Sequence, residues 1–312
     1  MIFSDLFINI WQVNSEKNQL HTEEEIDLLE ILKKIWDAKI NVLLVGLVFC
    51  LVFFSYSLTL ENKYESQAIL KIKQNDNNST NQSSDIFNQI RSFSIGPTAQ
   101  SSVPKVIEGI EIIKSRDFLT DFIQKYEYLP LLYAFETWDE AKKQPVLMRN
   151  RYDSEKKTFI GAWENKVSLQ KAHQLILDKH LEVINDRDTG FVKLTIKHRS
   201  SHIAKDFAEK VISELNSRTK ERDIMEAKIK IDFLQEELMN ANIESIQNIL
   251  SALIQNEYSK IAIASASPEY FFAIIDSPIA PEDPSSPNRG LISFLGLLLG
   301  LAIGIFVSIF KK

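Results

Sequence analysis

The sequence predicts an α+β membrane protein, with two spanning helices near its ends and strands plus a long helical stretch between them. Three observations carry this prediction. Ile40–Leu60 and Leu291–Phe310 are apolar runs without a single charge. Short segments between them alternate apolar and polar residues with a period of two, as half-buried strands do. From Gly190 to Pro268 the intervening chain contains neither glycine nor proline, and most of it has helical spacing.

The two apolar runs come first. At 1.5 Å per residue, about 20 residues of helix cross a hydrocarbon core of roughly 30 Å. A helix satisfies its own backbone groups there. A buried helix of a soluble protein usually keeps a polar face, and neither run has one. The first run begins at residue 40 and lacks a small-x-small cleavage site, so it is expected to persist as a span and not to be removed as a signal peptide. Two spans place both termini on one side. Lys33, Lys34, Lys39, Lys311 and Lys312 flank the spans on that side, against Lys63, Lys71, Lys73 and Arg289 on the other. The bias is small, and the Lys311–Lys312 cap tips it towards cytoplasmic termini. The expected organisation is a cytoplasmic segment 1–39, spans 40–60 and 291–310, a large domain 61–290 between them, and a cytoplasmic tail 311–312.

Residues Met1–Leu20 show no clear pattern. Thr22 to Glu25 fit a capping box, and the helix expected after it carries an apolar stripe of Ile26, Leu29, Leu32, Ile35 and Trp36. Tyr64–Lys73 reads as a strand, and Gln74–Ser84, rich in Asn and Ser, as a loop. Glu108–Tyr133 is helical in pattern, with an interruption expected at Pro130. Leu181–Ile184 and Phe191–His198 form a predicted hairpin. Ser201–Asn256 is expected to be one long helix, its stripe running through Ile224, Ala227, Ile231, Leu234 and Leu238; two shorter helices meeting near Asn240–Asn242 are the alternative. Tyr270–Ile275 reads as a last strand. After it Pro278, Pro281, Pro284 and Pro287 recur at every third residue, which favours a stiff polyproline II rod leading into the second span.

The chemistry of the chain points away from catalysis. It has no P-loop, no G-x-S-x-G elbow and no H-E-x-x-H pattern. Its single cysteine, Cys50, lies in the first span, so thiol catalysis and thiolate metal sites are not expected, and 61–290 can hold no disulfide. His198 and His202 are four apart but straddle a strand-to-helix boundary, a poor arrangement for sharing a metal. A net charge of −6 with scattered basic residues excludes a nucleic-acid footprint. No catalytic residue and no cofactor is expected. The feature with a specific spacing is in the second span, where Gly296, Gly300 and Gly304 form a doubled G-x-x-x-G, a face that admits another helix at close range.

Taken in order, several segments resemble the Wzz-type chain-length determinants, the polysaccharide co-polymerases without a kinase domain. They are EIDLLEIL from Glu25 to Leu32, IKSRDFL from Ile113 to Leu119, DTGFVKLTI from Asp188 to Ile196, and IDFL from Ile231 to Leu234. The proline-rich signature is matched by Pro278, Pro281, Ser286 and Pro287. Asn288 stands where that pattern usually has lysine, and Leu301 and Phe306 where glycine is usual. The resemblance implies a periplasmic α/β base with a long extended helix, set between the two membrane helices of a bacterial inner-membrane protein. It implies a homo-oligomer, helical and coiled-coil-like in part, that regulates O-antigen chain length in lipopolysaccharide together with the O-antigen polymerase. The growing polysaccharide and membrane lipid are further implied partners. A co-polymerase or adaptor for capsule or exopolysaccharide export would share this pattern. A two-span periplasmic sensor would need a cytoplasmic output domain, for which 39 residues before the first span leave little room.

Overall fold

The strand expected at Tyr64 becomes β1 (Tyr64–Ile72), the centre of the main sheet. Its alternation explains why: Ser66, Ala68 and Leu70 are fully buried on one face, while Lys71 points out. The computed structural model describes residues 36, 38–73 and 105–310. The helix expected from Thr22 (apart from its final residues), the Gln74–Ser84 loop and the Lys311–Lys312 cap lie outside the described residues. The chain divides into two units, Met1–Leu60 with Pro287–Lys312, and Glu61–Ser286.

In the larger unit, β1 is followed by α2 (Lys105–Lys114), α3 (Arg116–Lys125) and α4 (Tyr128–Tyr133). Ser115 separates α2 from α3: its Oγ accepts the Phe118 N–H at 3.2 Å, capping α3. The break expected at Pro130 falls earlier, at Glu127, whose backbone is left-handed (φ 53°). Pro130 sits in the first turn of α4, where its missing N–H would have had no helical partner anyway. Two small hairpins that the sequence reading missed come next, β2 (Phe135–Asp139) with β3 (Gln144–Leu147) and β4 (Tyr152–Asp153) with β5 (Thr158–Phe159). Then α5 (Leu169–Leu175), extended by a wider turn over Ile176–His180, leads into β6 (Leu181–Asn185) and β7 (Val192–His198).

The main sheet is antiparallel with strand order β6-β7-β1-β8, where β8 is Phe272–Asp276. The last strand therefore starts two residues later than expected. The β6–β7 turn is built by Asp186, which accepts from the N–H groups of Asp188 and Thr189 and from the Thr189 hydroxyl, with Gly190 at φ 71° closing it. One face of the sheet meets α2, α3, α5 and the first half of α6 (Ser201–Asn240) in a single core. Phe122, Tyr128 and Phe207 pack ring to ring in it, with centroids 4.6 to 5.2 Å apart. The Tyr128 hydroxyl donates to Asp206 at 2.6 Å, and burial with that acceptor raises its pKa well above the usual phenol value.

The single rod expected over Ser201–Asn256 is not what forms. Helix α6 stops at Asn240 and a second helix, α7 (Glu244–Ala266), begins after a three-residue break. Ala241 and Ile243 are extended, and Gln247 Nε2 donates back to the Ala241 carbonyl at 2.8 Å. Asn216 shows where α7 returns to. Its Oδ1 accepts the N–H groups of Phe271 and Phe272, both at 2.8 Å, and its Nδ2 donates to Phe272 O at 3.0 Å. The chain thus runs out from Asn216 to Asn240 and back to the sheet by Phe272. The two limbs match, each about 35 Å at 1.5 Å per residue. The break has a topological cause: β8 must reach β1, and a helix that never turned would carry it away.

In the smaller unit α1 (Lys39–Thr59) packs along α8 (Arg289–Phe310), both long and apolar enough to cross a membrane. Their outer residues, such as Leu43, Leu47, Leu51, Leu295, Leu298 and Phe306, are exposed.

Candidate functional site

Three features of the fold hold the residues singled out by the sequence. In the paired spans, Gly296 lies against Phe53, Gly300 against Phe49 and Gly46, and Gly304 against Val42. As the α8 number rises the α1 number falls, so the helices run antiparallel. The fit leaves no room for a side chain: a Cβ at Gly300 would stand 2.7 Å from Phe49 Cβ and 2.8 Å from the Gly46 backbone. The glycine stripe therefore faces the first span of its own chain. Gly46 completes this face and went unnoticed in the sequence; a glycine of the first span opposite the stripe was the available signal.

The second feature is the arm formed by the outer half of α6 and by α7. Ala227 and Ile231 are buried, and Ile224, Leu234 and Leu238 half-buried, along the side of α6 that meets α7. The stripe read from spacing is thus the seam of the hairpin. A second apolar row on α6, Met225, Ile229 and Phe233, stays exposed, as do Met239, Ile243 and Ile246 near the tip. Within the seam Glu257 is buried and pairs with Lys260 one turn on.

The third is the proline-rich stretch. Pro278 is buried, Pro281 and Pro287 half-buried and Pro284 exposed. The stretch does not run as a straight rod: it bends at Glu282–Asp283 and is tied to the start of β1. Ser66 Oγ donates to Ile279 O at 2.7 Å, Lys63 N–H to Ser286 O at 2.9 Å, and Ser285 N–H to Lys63 O at 2.9 Å. These bonds hold together the two strands of chain that lead to the spans.

Residues 24–126 match the family model described as Wzz, chain length determinant protein. Over that stretch the chain is Wzz-like. The Wzz match takes in two of the segments on which the resemblance rests, EIDLLEIL and IKSRDFL, together with α1, β1, α2 and α3. In IKSRDFL the chemistry is visible: Ser115 caps α3, and Ile113, Phe118 and Leu119 are core residues. DTGFVKLTI, IDFL and the proline signature lie beyond the Wzz match. Among solved structures, a full-length bacterial polysaccharide co-polymerase shares 13% identity at a TM-score of 0.37, over 91% of this chain and 96% of that one. No curated protein sequence matches. The Wzz match covers about a third of the α+β chain, and α1 and α8 at its two ends are long and apolar enough to cross a membrane.

Proposed function

We propose that the protein regulates the length of O-antigen polysaccharide, as a homo-oligomer of the bacterial inner membrane working with the O-antigen polymerase. Both termini are cytoplasmic in this reading, and the unit from Glu61 to Ser286 is periplasmic. The observation that carries the reading is the Wzz match over residues 24–126. The exposed row of Met225, Ile229 and Phe233 supports assembly of copies, since apolar residues grouped on one helix face gain by being covered. A regulator of this kind needs no reacting group of its own; it acts by holding the polymerase and a growing chain in a defined arrangement.

A gel of surface lipopolysaccharide from cells with and without the protein tests it. Deletion is expected to change the distribution of O-antigen lengths while polymer continues to be made. An unchanged ladder, or complete loss of polymer, would count against the proposal; a change confined to capsule or exopolysaccharide would move the role to those polymers.

A further inference from the structure

A cleft of about 360 Å³ opens in the larger unit where β2 and the turn after it meet the start of α6 and the chain entering β1. Glu61, Trp138, Glu140, Arg199, Ser200 and His202 stand in its walls. Each is held. The Trp138 ring stacks on His202 with centroids 4.8 Å apart, and His202 Nε2 stands 3.4 Å from Glu140 Oε1. Arg199 bridges outward to Glu61 Oε2 at 3.1 Å and inward to the Phe135 carbonyl at 3.2 Å. Ser200, 4% exposed, donates its N–H to His198 Nδ1 at 3.0 Å.

Two polar groups in this wall have no hydrogen-bond partner among the described residues, the Ser200 hydroxyl and the Trp138 indole N–H, and both are shut away from the surface. Ser200 is the residue at the N-terminal end of the 40-residue α6, and its side chain makes no capping bond to that helix. Burying such groups unpaired is unfavourable, so a ligand whose entry displaces the wall residues covering them would gain by pairing them.

The mixture of groups narrows the ligand. An anion would gain from the helix end and Arg199 but would face the carboxylates of Glu61, Glu136 and Glu140. A bare cation would face Arg199 and the same helix end. An apolar molecule would leave the buried hydroxyl and indole N–H unpaired. A hydroxyl group both donates and accepts, so it suits a wall that offers N–H donors and carboxylate acceptors side by side. The Trp138 ring, stacked on His202 and packed against the core, is partly exposed and adds apolar surface to the wall. The cleft volume lies at the lower end of the range for small-molecule sites, about 300–1,000 Å³, which suits one or two sugar rings.

We propose that this cleft is a binding subsite for a neutral saccharide of one or two rings. The choice of a saccharide among hydroxyl-rich ligands rests on the polysaccharide reading above.

The test uses the full-length protein in nanodiscs and saturation-transfer difference NMR. The probes are glucose, galactose, rhamnose, N-acetylglucosamine, cellobiose and chitobiose at millimolar concentration, with inorganic phosphate as competitor. Saturation is expected to reach the ring protons of at least one sugar and to survive added phosphate. Trp138→Ala should weaken that binding by about tenfold or more, and Ser200→Ala by about threefold to tenfold. Trp138→Phe keeps an aromatic ring without the N–H and should fall between; it carries the test if Trp138→Ala does not fold. No transfer to any of the sugars, equal transfer in folded Trp138 variants, or displacement by phosphate would overturn the subsite. The deletion gel separates this from the functional reading. An altered ladder without sugar binding removes the cleft alone, whereas sugar binding with an unaltered ladder keeps the cleft and removes O-antigen length control.

Discussion

Helix α6 passes through two environments in one uninterrupted run of hydrogen bonds. Nine of its eleven buried residues lie between Ile203 and Thr219, where it crosses the sheet, and two, Ala227 and Ile231, lie beyond. The first half is a core helix with neighbours on several sides. Among the described residues the second half, beyond the Arg222–Glu108 and Asp223–Tyr270 contacts, packs on α7 and shows solvent a row of large apolar residues. Phe207 is 2% exposed and Phe233 61% exposed on the same helix. The lesson is that helix formation and helix role are decided separately. Good helix-forming residues and the absence of glycine and proline carry α6 through both halves, while the sheet decides which half becomes core.

The largest effect is expected for Phe207→Ala in the core half of α6. Removing a ring from the aromatic cluster should cost about 3–5 kcal/mol and lower the denaturant midpoint of the larger unit strongly; a small change would mean that the base core is loosely packed. Next is Leu234→Pro in the arm. It removes a backbone bond and should cost about 3 kcal/mol or more locally. Hydrogen exchange should rise over residues 225–260 while β1 and β7 stay protected. Fast exchange in the sheet as well would show that arm and base unfold together.

Acid should weaken the larger unit through its buried histidines. His198 is buried beside His180, its Nδ1 accepts the Ser200 N–H and its Nε2 donates to the Leu131 carbonyl. Burial, then the neighbouring imidazole, pushes its pKa down to about 4. The unfolded chain takes up this proton first, near the ordinary value of 6.5. The contribution to stability is therefore complete above about pH 6.5, declines as the pH falls towards 4, and is lost below it. The full loss is on the order of 3 kcal/mol. Burial also lowers His180, which adds in the same direction. Denaturation of the base at pH 7.5 and pH 5 should show the drop, and His198→Gln should flatten it.

The spans respond on a smaller scale. Gly300→Leu cannot keep the contact with Phe49 and Gly46, and should separate α1 from α8 at a cost of about 1–2 kcal/mol. A disulfide-free distance probe, such as paired spin labels on the two spans, should report the widening; an unchanged distance would refute close packing at Gly300. The smallest effect on the isolated chain is expected for Phe233→Ala, under about 0.5 kcal/mol, because little apolar surface is withdrawn from water there. Its effect should appear instead in oligomer size in detergent. A stability loss as large as that of Phe207→Ala would erase the distinction between the two halves.

Much of this was legible from local pattern. The period of two located β1, β6 and β7 within a few residues, because each buries one face and shows the other to water. The two apolar helices were legible from length and charge. The stripe Ile224, Ile231, Leu234 and Leu238 was legible as an apolar face, although spacing could not say what it would meet. Local pattern missed β2 to β5, which are two to five residues long, too short for periodicity to register. It also placed a break at Pro130 that the first turn of α4 accommodates.

The assembly of the cleft was beyond any local reading. Trp138, Arg199 and Glu61 come from three distant parts of the chain, and only the pairing of β1 with β7 in the register Tyr64↔His198 brings the chain entering β1 beside Arg199. The reversal at Ala241–Ile243 is of the same kind. Helix propensity runs high on both sides of it, and its cause lies at the other end of the arm, where Asn216 holds Phe271 and Phe272. The sequence by itself determined which segments are apolar, which alternate and which are helical, because those properties depend on neighbours a few residues away. Tertiary structure alone decided that the long helix is a hairpin, that the glycine stripe faces Gly46, and which polar groups surround one cleft. Those outcomes depend on contacts between residues far apart in the chain, whose free energy no local window contains.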